Sequence, residues 1–172
     1  CRVTNNVVAD VEALLGAVFS EMNFGRNLID HNIFWDIRNP ARNGNPENAP
    51  GVKSDCNEKL IVANNFIAGT EGGGVMITLN QADRKHTGRT AVGKANQVLN
   101  NVIVDVPLRL RFGRREENVS DGNLYQTADD SCSFNIKHPE PESYQHLAGW
   151  QEYFGLDQHS AQARITADFD TR

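Results

Sequence analysis

The sequence predicts an all-β fold built as a parallel solenoid of stacked coils, and three observations carry that prediction. A short phrase recurs: NNVVADV at 5–11, HNIFWDI at 31–37, NNFIAGT at 64–70, NNVIVDV at 100–106 and a worn copy, GNLYQTA, at 122–128. A second segment with alternating character recurs between these phrases: GAVFSE, GVKSD, GVMIT and PLRLRF. A third apolar stretch precedes the internal asparagines: NLI at 27–29, KLIV at 59–62 and NQVL at 96–99.

The phrase comes first. Its second residue is always asparagine (Asn6, Asn32, Asn65, Asn101, Asn123), followed two places on by Val8, Phe34, Ile67, Ile103 or Tyr125. The anchors are 26, 33, 36 and 22 residues apart. A period in this range signals a stacked repeat. The unevenness argues against helical pairs of fixed length and suits coils that share a turn and carry loops of different size. In a right-handed parallel β-helix, successive coils lie one strand spacing apart, about 4.8 Å. Equivalent residues then stack. An asparagine in a tight turn tolerates left-handed backbone angles. Its amide can donate to the asparagine of one neighbouring coil and accept from the other, so a buried column satisfies its own hydrogen bonds.

The alternating segment comes next. Aligned on Val18, Val52, Val75 and Leu108, it has the two-residue period of a half-buried strand. Inward positions are Val18/Ser20, Val52/Ser54, Val75/Ile77 and Leu108/Leu110. Outward positions are Phe19/Glu21, Lys53/Asp55, Met76/Thr78 and Arg109/Arg111. Two turn-rich stretches, 37–51 and 79–96, read as long loops that wall a groove.

The C-terminal part changes period. PESYQHLAGWQEYFGL at 141–156 has helical apolar spacing at Leu147, Trp150, Tyr153 and Phe154. An amphipathic helix there would cover the apolar end that a solenoid exposes. The segment ARITADFDTR reads as a strand cut short. The expected organisation is coils over 1–138 and a capping helix with a terminal strand over 139–172. The chain reads as a piece of a longer protein or one half of an assembly.

Composition narrows the function. A net charge of −5 over 172 residues gives no basic footprint for nucleic acid. No run of about 20 apolar residues is present, so no membrane span is expected. Cys1, Cys56 and Cys132 lack zinc spacing. Asn118-Val119-Ser120 matches a glycosylation sequon. EGGGV at 71–75 lacks the lysine of a phosphate loop, and its glycines suit a coil corner. No cofactor is implied. Calcium alone has candidate ligands, in the column Asp10, Asp36 and Asp105 and in Asp129 and Asp130.

NLIDHNIFWDI, GVKSDCNEKLIVANNFI and NQVLNNVIVDVPL resemble the right-handed parallel β-helix repeat of carbohydrate-active proteins. SDGNLYQ followed by LAGWQEYFGLDQHS is similar to the closing coil and terminal helix of secreted bacterial members. The resemblance covers nearly the whole chain. It implies a secreted, periplasmic or extracellular protein that meets a polysaccharide or oligosaccharide. It does not choose the reaction, because the fold hosts glycosidases, lyases, epimerases and adhesins. Glycosidase-like members often carry a glutamate in the strand matching GVKSDCNEKL. Ser54 stands at that position here.

The outward face of the alternating strand holds the candidate chemistry. Glu21 and Asp55 would sit on adjacent strands with carboxyl groups roughly 5 Å apart, the separation retaining glycosidases use. Lys53, Arg109 and Arg111 share that face and would hold an acidic sugar or neutralise a carboxylate. Trp35 could stack on a sugar ring, and Asp36 could take its hydroxyls. His31 reads as structural. Asp83, Arg84 and His86 lie in a loop that could reach a polyanion. The expected function is glycoside hydrolysis. The alternatives are a polysaccharide lyase with Lys53 or Arg109 as base and a non-catalytic sugar-binding or structural module.

Overall fold

β-branched and apolar residues alternating with polar ones make short strands, and the bends between them fall on residues that accept left-handed backbone angles. The structure, a computed structural model, describes residues 1–78, 85, 86, 88–90, 92–115, 117–126, 131–138 and 141–166. Asp83, Arg84, Asp129, Asp130, the side chain of His86 and the last residues of ARITADFDTR lie outside the described part. A first pass of the chain forms β1 (Arg2–Thr4), β2 (Val7–Glu12) and β3 (Val18–Glu21), and a second forms β4 (Asn27–Asp30), β5 (Ile33–Arg38) and β6 (Val52–Asp55). A third forms β7 (Leu60–Ala63), β8 (Phe66–Ala68) and β9 (Gly73–Thr78). A short antiparallel hairpin of β10 (Lys85–His86) and β11 (Arg89–Thr90) precedes the fourth pass, β12 (Gln97–Leu99), β13 (Val102–Val104) and β14 (Leu108–Phe112). The fifth is β15 (Val119–Asp121), β16 (Leu124–Gln126) and β17 (Phe134–Ile136), followed by β18 (Ser143–Gln145), the helix α1 (Leu147–Phe154) and β19 (Ala161–Ala163).

The strands assemble into three sheets besides the hairpin. The first runs β1-β4-β7-β12-β15, the second β2-β5-β8-β13-β16-β19 and the third β3-β6-β9-β14-β17-β18. Neighbours are parallel except β17 and β18. Each pass therefore contributes one strand to each sheet. The fold is all-β with parallel sheets, an arrangement compatible with a β-helix.

The recurring phrase stacks as expected. Val8, Phe34, Ile67, Ile103 and Tyr125 are successive cross-strand partners in the second sheet. The last four are fully buried. Burying an aliphatic or aromatic side chain of this size contributes about 1.5–3 kcal/mol. Beside them runs the asparagine ladder. The backbone N–H and Nδ2 of Asn6 donate to Asn32 Oδ1, both at 3.0 Å. Asn32 does the same to Asn65 Oδ1 at 3.0 and 2.9 Å, and Asn65 to Asn101 Oδ1 at 3.0 and 2.9 Å. Asn101 donates to Asn123 Oδ1 at 2.8 and 3.1 Å.

The left-handed angle belongs to the residue before each ladder asparagine, which corrects the sequence-based expectation. Asn5, His31, Asn64, Asn100 and Gly122 have φ of 57°, 55°, 56°, 54° and 67°. The ladder asparagine keeps an ordinary angle because its own N–H and amide must point along the stack. His31 is thus a bend residue, and its Nδ1 lies 2.9 Å from Asp30 Oδ2. That contact, aided by Arg2, outweighs burial and holds the Asp30 carboxyl below its ordinary range.

One register differs from the sequence-based alignment. Val75 pairs with Leu110 and Ile77 with Phe112, while Leu108 stands opposite Gly73. The shift is two residues, so no side chain changes face. Its physical reason is core volume. The observed register sets the inward Phe112 opposite Ile77, and its ring centroid lies 6.0 Å from that of Trp150.

The ladder ends on the C-terminal segment. Asn123 N–H donates to Ser160 Oγ at 2.8 Å and its Nδ2 to Asp157 Oδ1 at 2.9 Å. Asp157 is fully buried and also accepts from Tyr125 Oη at 3.1 Å, Trp150 Nε1 at 2.9 Å and Ser160 Oγ. Burial, then the Asp157 charge, push the Tyr125 hydroxyl well above its ordinary range. Helix α1 is shorter than the helical spacing implies, because residues 143–145 pair with β17 instead. His146 caps its start and Gly155, at φ 65°, its end. Leu147 and Trp150 are buried, whereas Tyr153 is exposed, contrary to its place in the apolar pattern.

Two measurements check this account. Asn65→Ala leaves Asn32 without its acceptor in a buried bend. It is expected to lower the unfolding free energy by about 1–3 kcal/mol in urea titrations, and Asn6→Ala, at the exposed end, by less. At the capped end, His159 N–H and Nδ1 both meet Asp121 at 2.7 Å. The hydrogen bond to Asp121, then its charge, raise the His159 pKa above 6.5. Burial pulls Asp121 up, but the His159 contacts and the Gly122 N–H outweigh it and lower it below 3.8. The raised histidine stabilises the fold below its unfolded pKa, and that contribution fades as pH rises through the folded value. The lowered aspartate contributes above its unfolded pKa and loses this as pH falls through its folded value. In an NMR titration His159 is expected to titrate above 6.5, and Asp121→Asn to bring it back.

Candidate functional site

Loop closure decides what the outer face of the third sheet presents. Residues 39–50 fold back over it through a chain of asparagine turns. Ala41 N–H donates to Asn39 Oδ1 at 3.0 Å, Asn45 N–H to Asn43 Oδ1 at 3.1 Å and Glu47 N–H to Asn45 Oδ1 at 3.0 Å. Such side-chain turns are a local alternative to backbone pairing. The loop presses on Gly72, where a Cβ would lie 1.8 Å from Asn48 O. Only glycine permits that approach. The loop, expected as one wall of a groove, closes over Lys53 and Arg111 and seats Glu47 on the sheet; the second expected wall, 79–96, lies partly outside the described residues.

The register brings Glu21 and Asp55 together as cross-strand partners on the outward face of β3 and β6, with Thr78 next to Asp55 on β9. Glu21 is exposed, while Asp55 is buried and its Oδ1 accepts from Cys56 Sγ at 3.1 Å. A cavity of about 260 Å³ opens beside Glu21, lined also by Val3, Val18, Phe19 and Leu28.

Lys53, Arg109 and Arg111 lie on the same outer face but are buried. Lys53 Nζ donates to Glu47 O at 3.0 Å. Arg109 donates to Gln126 O at 2.8 Å and to Ser133 Oγ. Arg111 Nη1 meets Glu47 Oε1 at 2.6 Å and its Nη2 meets Glu142 Oε1 at 3.1 Å. Asn135 Nδ2 and Tyr144 Oη also donate to Glu142 Oε1, at 3.1 and 3.3 Å. Burial, then the Glu142 charge, raise the Tyr144 hydroxyl.

Trp35 and Asp36 stand elsewhere. They belong to β5 in the second sheet, where Trp35 pairs with Ala9 and Ala68. Asp36 has φ 51° and sits in a bend column with Asp10, Gly69 and Asp105. Aspartate tolerates that angle and glycine adopts it freely, which accounts for the recurring position. Arg38 ties two members, meeting Asp10 at 2.6 Å and Asp36 at 2.7 Å. Those two partners raise the Arg38 pKa.

Glu47, Glu142, Asn135 and Tyr144 were not singled out by sequence. Asparagines at 39, 43 and 45 were the available signal for the turn chain that carries Glu47. Nothing local marks Glu142, which reaches Arg111 only through the β17–β18 pairing. A second asparagine ladder was missed too. Asn96 donates from N–H and Nδ2 to Asn118 Oδ1 at 3.0 and 3.1 Å, and Asn96 Oδ1 accepts from Leu60 N–H at 2.9 Å. Asn118 Nδ2 is spent on Gly93 O and Arg114 O. The sequon asparagine is therefore a buried rung in the folded chain. Ser54, where the resemblance implies a glutamate, faces inward and accepts from Asn57 Nδ2 at 2.8 Å.

Among the described residues no cluster of three or more His, Cys, Asp or Glu is arranged to hold a metal, and no helix is long and apolar enough to cross a membrane. None of the three cysteines is in a disulfide. No protein-family model, no curated protein and no solved structure matches the chain.

Arg111→Ala is expected to cost about 1–3 kcal/mol in equilibrium unfolding. That is below the full penalty for breaking a buried pair, because Glu47 and Glu142 keep 38% and 33% of their side-chain surface in water.

Proposed function

We propose that the three sheets are the faces of one right-handed parallel β-helix, and that the protein is a secreted, carbohydrate-active member of that architecture acting by glycoside hydrolysis. The observation that carries this reading is the pairing of Glu21 with Asp55. Two carboxylates one strand apart on the same face, about 4.8 Å by backbone spacing, fit the separation of a retaining pair. Asp55, held by Cys56 Sγ, would attack the anomeric carbon. Glu21, longer and exposed, would give its proton to the departing oxygen. Water would then break the glycosyl–Asp55 bond while Glu21 takes a proton back.

A lyase reading draws less support. Its base would be Lys53 or Arg109, and both donate into the protein. The reading of a non-catalytic sugar-binding module is favoured by one observation, the burial of Asp55 at 3% exposure.

The deciding assay presents neutral and uronic polysaccharides and reads new reducing ends and unsaturated products together, with and without calcium. New reducing ends without unsaturation are expected. Glu21→Gln and Asp55→Asn are each expected to lower turnover at least a hundredfold while the thermal melt stays intact. Unsaturated product would establish the lyase reading instead. Binding without turnover would leave the sugar-binding module.

A further inference from the structure

Arg2, Arg38, Lys94 and Arg111 each meet a carboxylate, and Lys53 and Arg109 donate to backbone carbonyls. Arg26 and Lys59, both exposed, have no such partner among the described residues. They immediately precede Asn27 and Leu60, cross-strand partners in the first sheet, so they stand on adjacent rungs about 4.8 Å apart. Like charges placed so close repel and cost stability. Both side chains line one cavity of about 420 Å³, together with Ile61, Ala95 and Gln97. Ile61 and Gln97 are cross-strand partners that face outward, because Leu60, Val62 and Val98 beside them fill the core. Ala95, on the rung after Lys59, is too short to fill the space. The Gln97 amide has no partner among the described residues either. Two carboxylates belong to the same bends, and both are engaged. Glu117 meets Lys94 at 3.3 Å, and Glu58 is buried with contacts of its own.

We infer that Arg26, Lys59 and Gln97, set around Ile61, form a subsite for the acidic group of a charged glycan, a carboxylate or sulfate borne on a sugar ring. The inference rests on the carbohydrate-active reading and specifies its substrate class. One anion bridging the two cations forms charge-assisted hydrogen bonds to both and removes their repulsion. The Gln97 amide has a donor and an acceptor for the ring hydroxyls, and the aliphatic Ile61 meets the sugar C–H groups. The subsite belongs to the same two coils as the candidate catalytic pair. Glu21 lies five residues before Arg26, and Asp55 four residues before Lys59. A glycan held at the cations therefore has the carboxylates one bend away. That placement also spares its acidic group the repulsion of Glu21 and Asp55.

Titration calorimetry on the folded chain tests the subsite. The probes are oligogalacturonates and carrageenan oligosaccharides, which carry carboxylate and sulfate respectively. Xylo- and cello-oligosaccharides of matched length and inorganic phosphate are the controls. At least one acidic set is expected to bind, more weakly as sodium chloride is added, and whichever binds tighter identifies the anion. Lys59→Asn and Arg26→Gln are each expected to weaken that binding about fivefold and to flatten its salt dependence. Asparagine accepts the φ of 60° at position 59, and both side chains are exposed, so both variants are expected to melt like wild type. No binding by either acidic set, equal binding of the neutral sets, displacement by phosphate at equal concentration, or wild-type binding by both variants would overturn the inference. Its failure is separable from that of the catalytic reading. Wild-type binding in Lys59→Asn and Arg26→Gln, with turnover still lost in Glu21→Gln and Asp55→Asn, removes the subsite alone. Binding that depends on Arg26 and Lys59 but yields no product supports the subsite and removes hydrolysis.

Discussion

The structure depends on one repeated interaction: an asparagine whose backbone N–H and side-chain amide both donate to the Oδ1 of the next asparagine. Each bend between the first and second sheets would otherwise bury polar groups away from strand ladders. The column from Asn6 to Asn123 meets those needs rung by rung, and Asp157 and Ser160 receive its last donors. Because each rung fixes the spacing and phase of the next, the sheets inherit their register from it. The apolar column two residues on, Phe34, Ile67, Ile103 and Tyr125, is stacked by the same constraint.

Register in turn decides which outward groups meet. In the third sheet it sets Glu21 beside Asp55 and lines Lys53, Met76, Arg111 and Asn135 in a row. That row is not open to solvent. Residues 39–50 and the strand at 143–145 lay Glu47 and Glu142 against Arg111, and the basic groups become part of the scaffold. Arg111 is thus matched by two carboxylates, while Lys53 and Arg109 donate to backbone carbonyls.

Much of this was legible residue by residue. The ladder asparagines, the inward column and the Glu21–Asp55 pairing follow from a repeated local phrase and a two-residue period. The slip of β14 was not legible, because PLRLRF satisfies the alternation in either register and only the space beside Trp150 sets Phe112 opposite Ile77. The second ladder was hidden for a related reason: Asn96 and Asn118 sit in dissimilar local contexts, GKANQ and REENV, and become equivalent only when the strands after them pair.

The sequence by itself determined the all-β character, the asparagine column and the faces of the strands, because those depend on short-range periodicity that each segment carries alone. Tertiary structure decided which polar groups on the outer face remain available. Arg111, Glu47 and Glu142 are far apart in the chain, and their charges are matched only because a loop closes over one side of the sheet and an antiparallel strand extends it at the end. Solvation of a charge depends on what lies over it in space, and that is set by long-range packing and by no local pattern of residues.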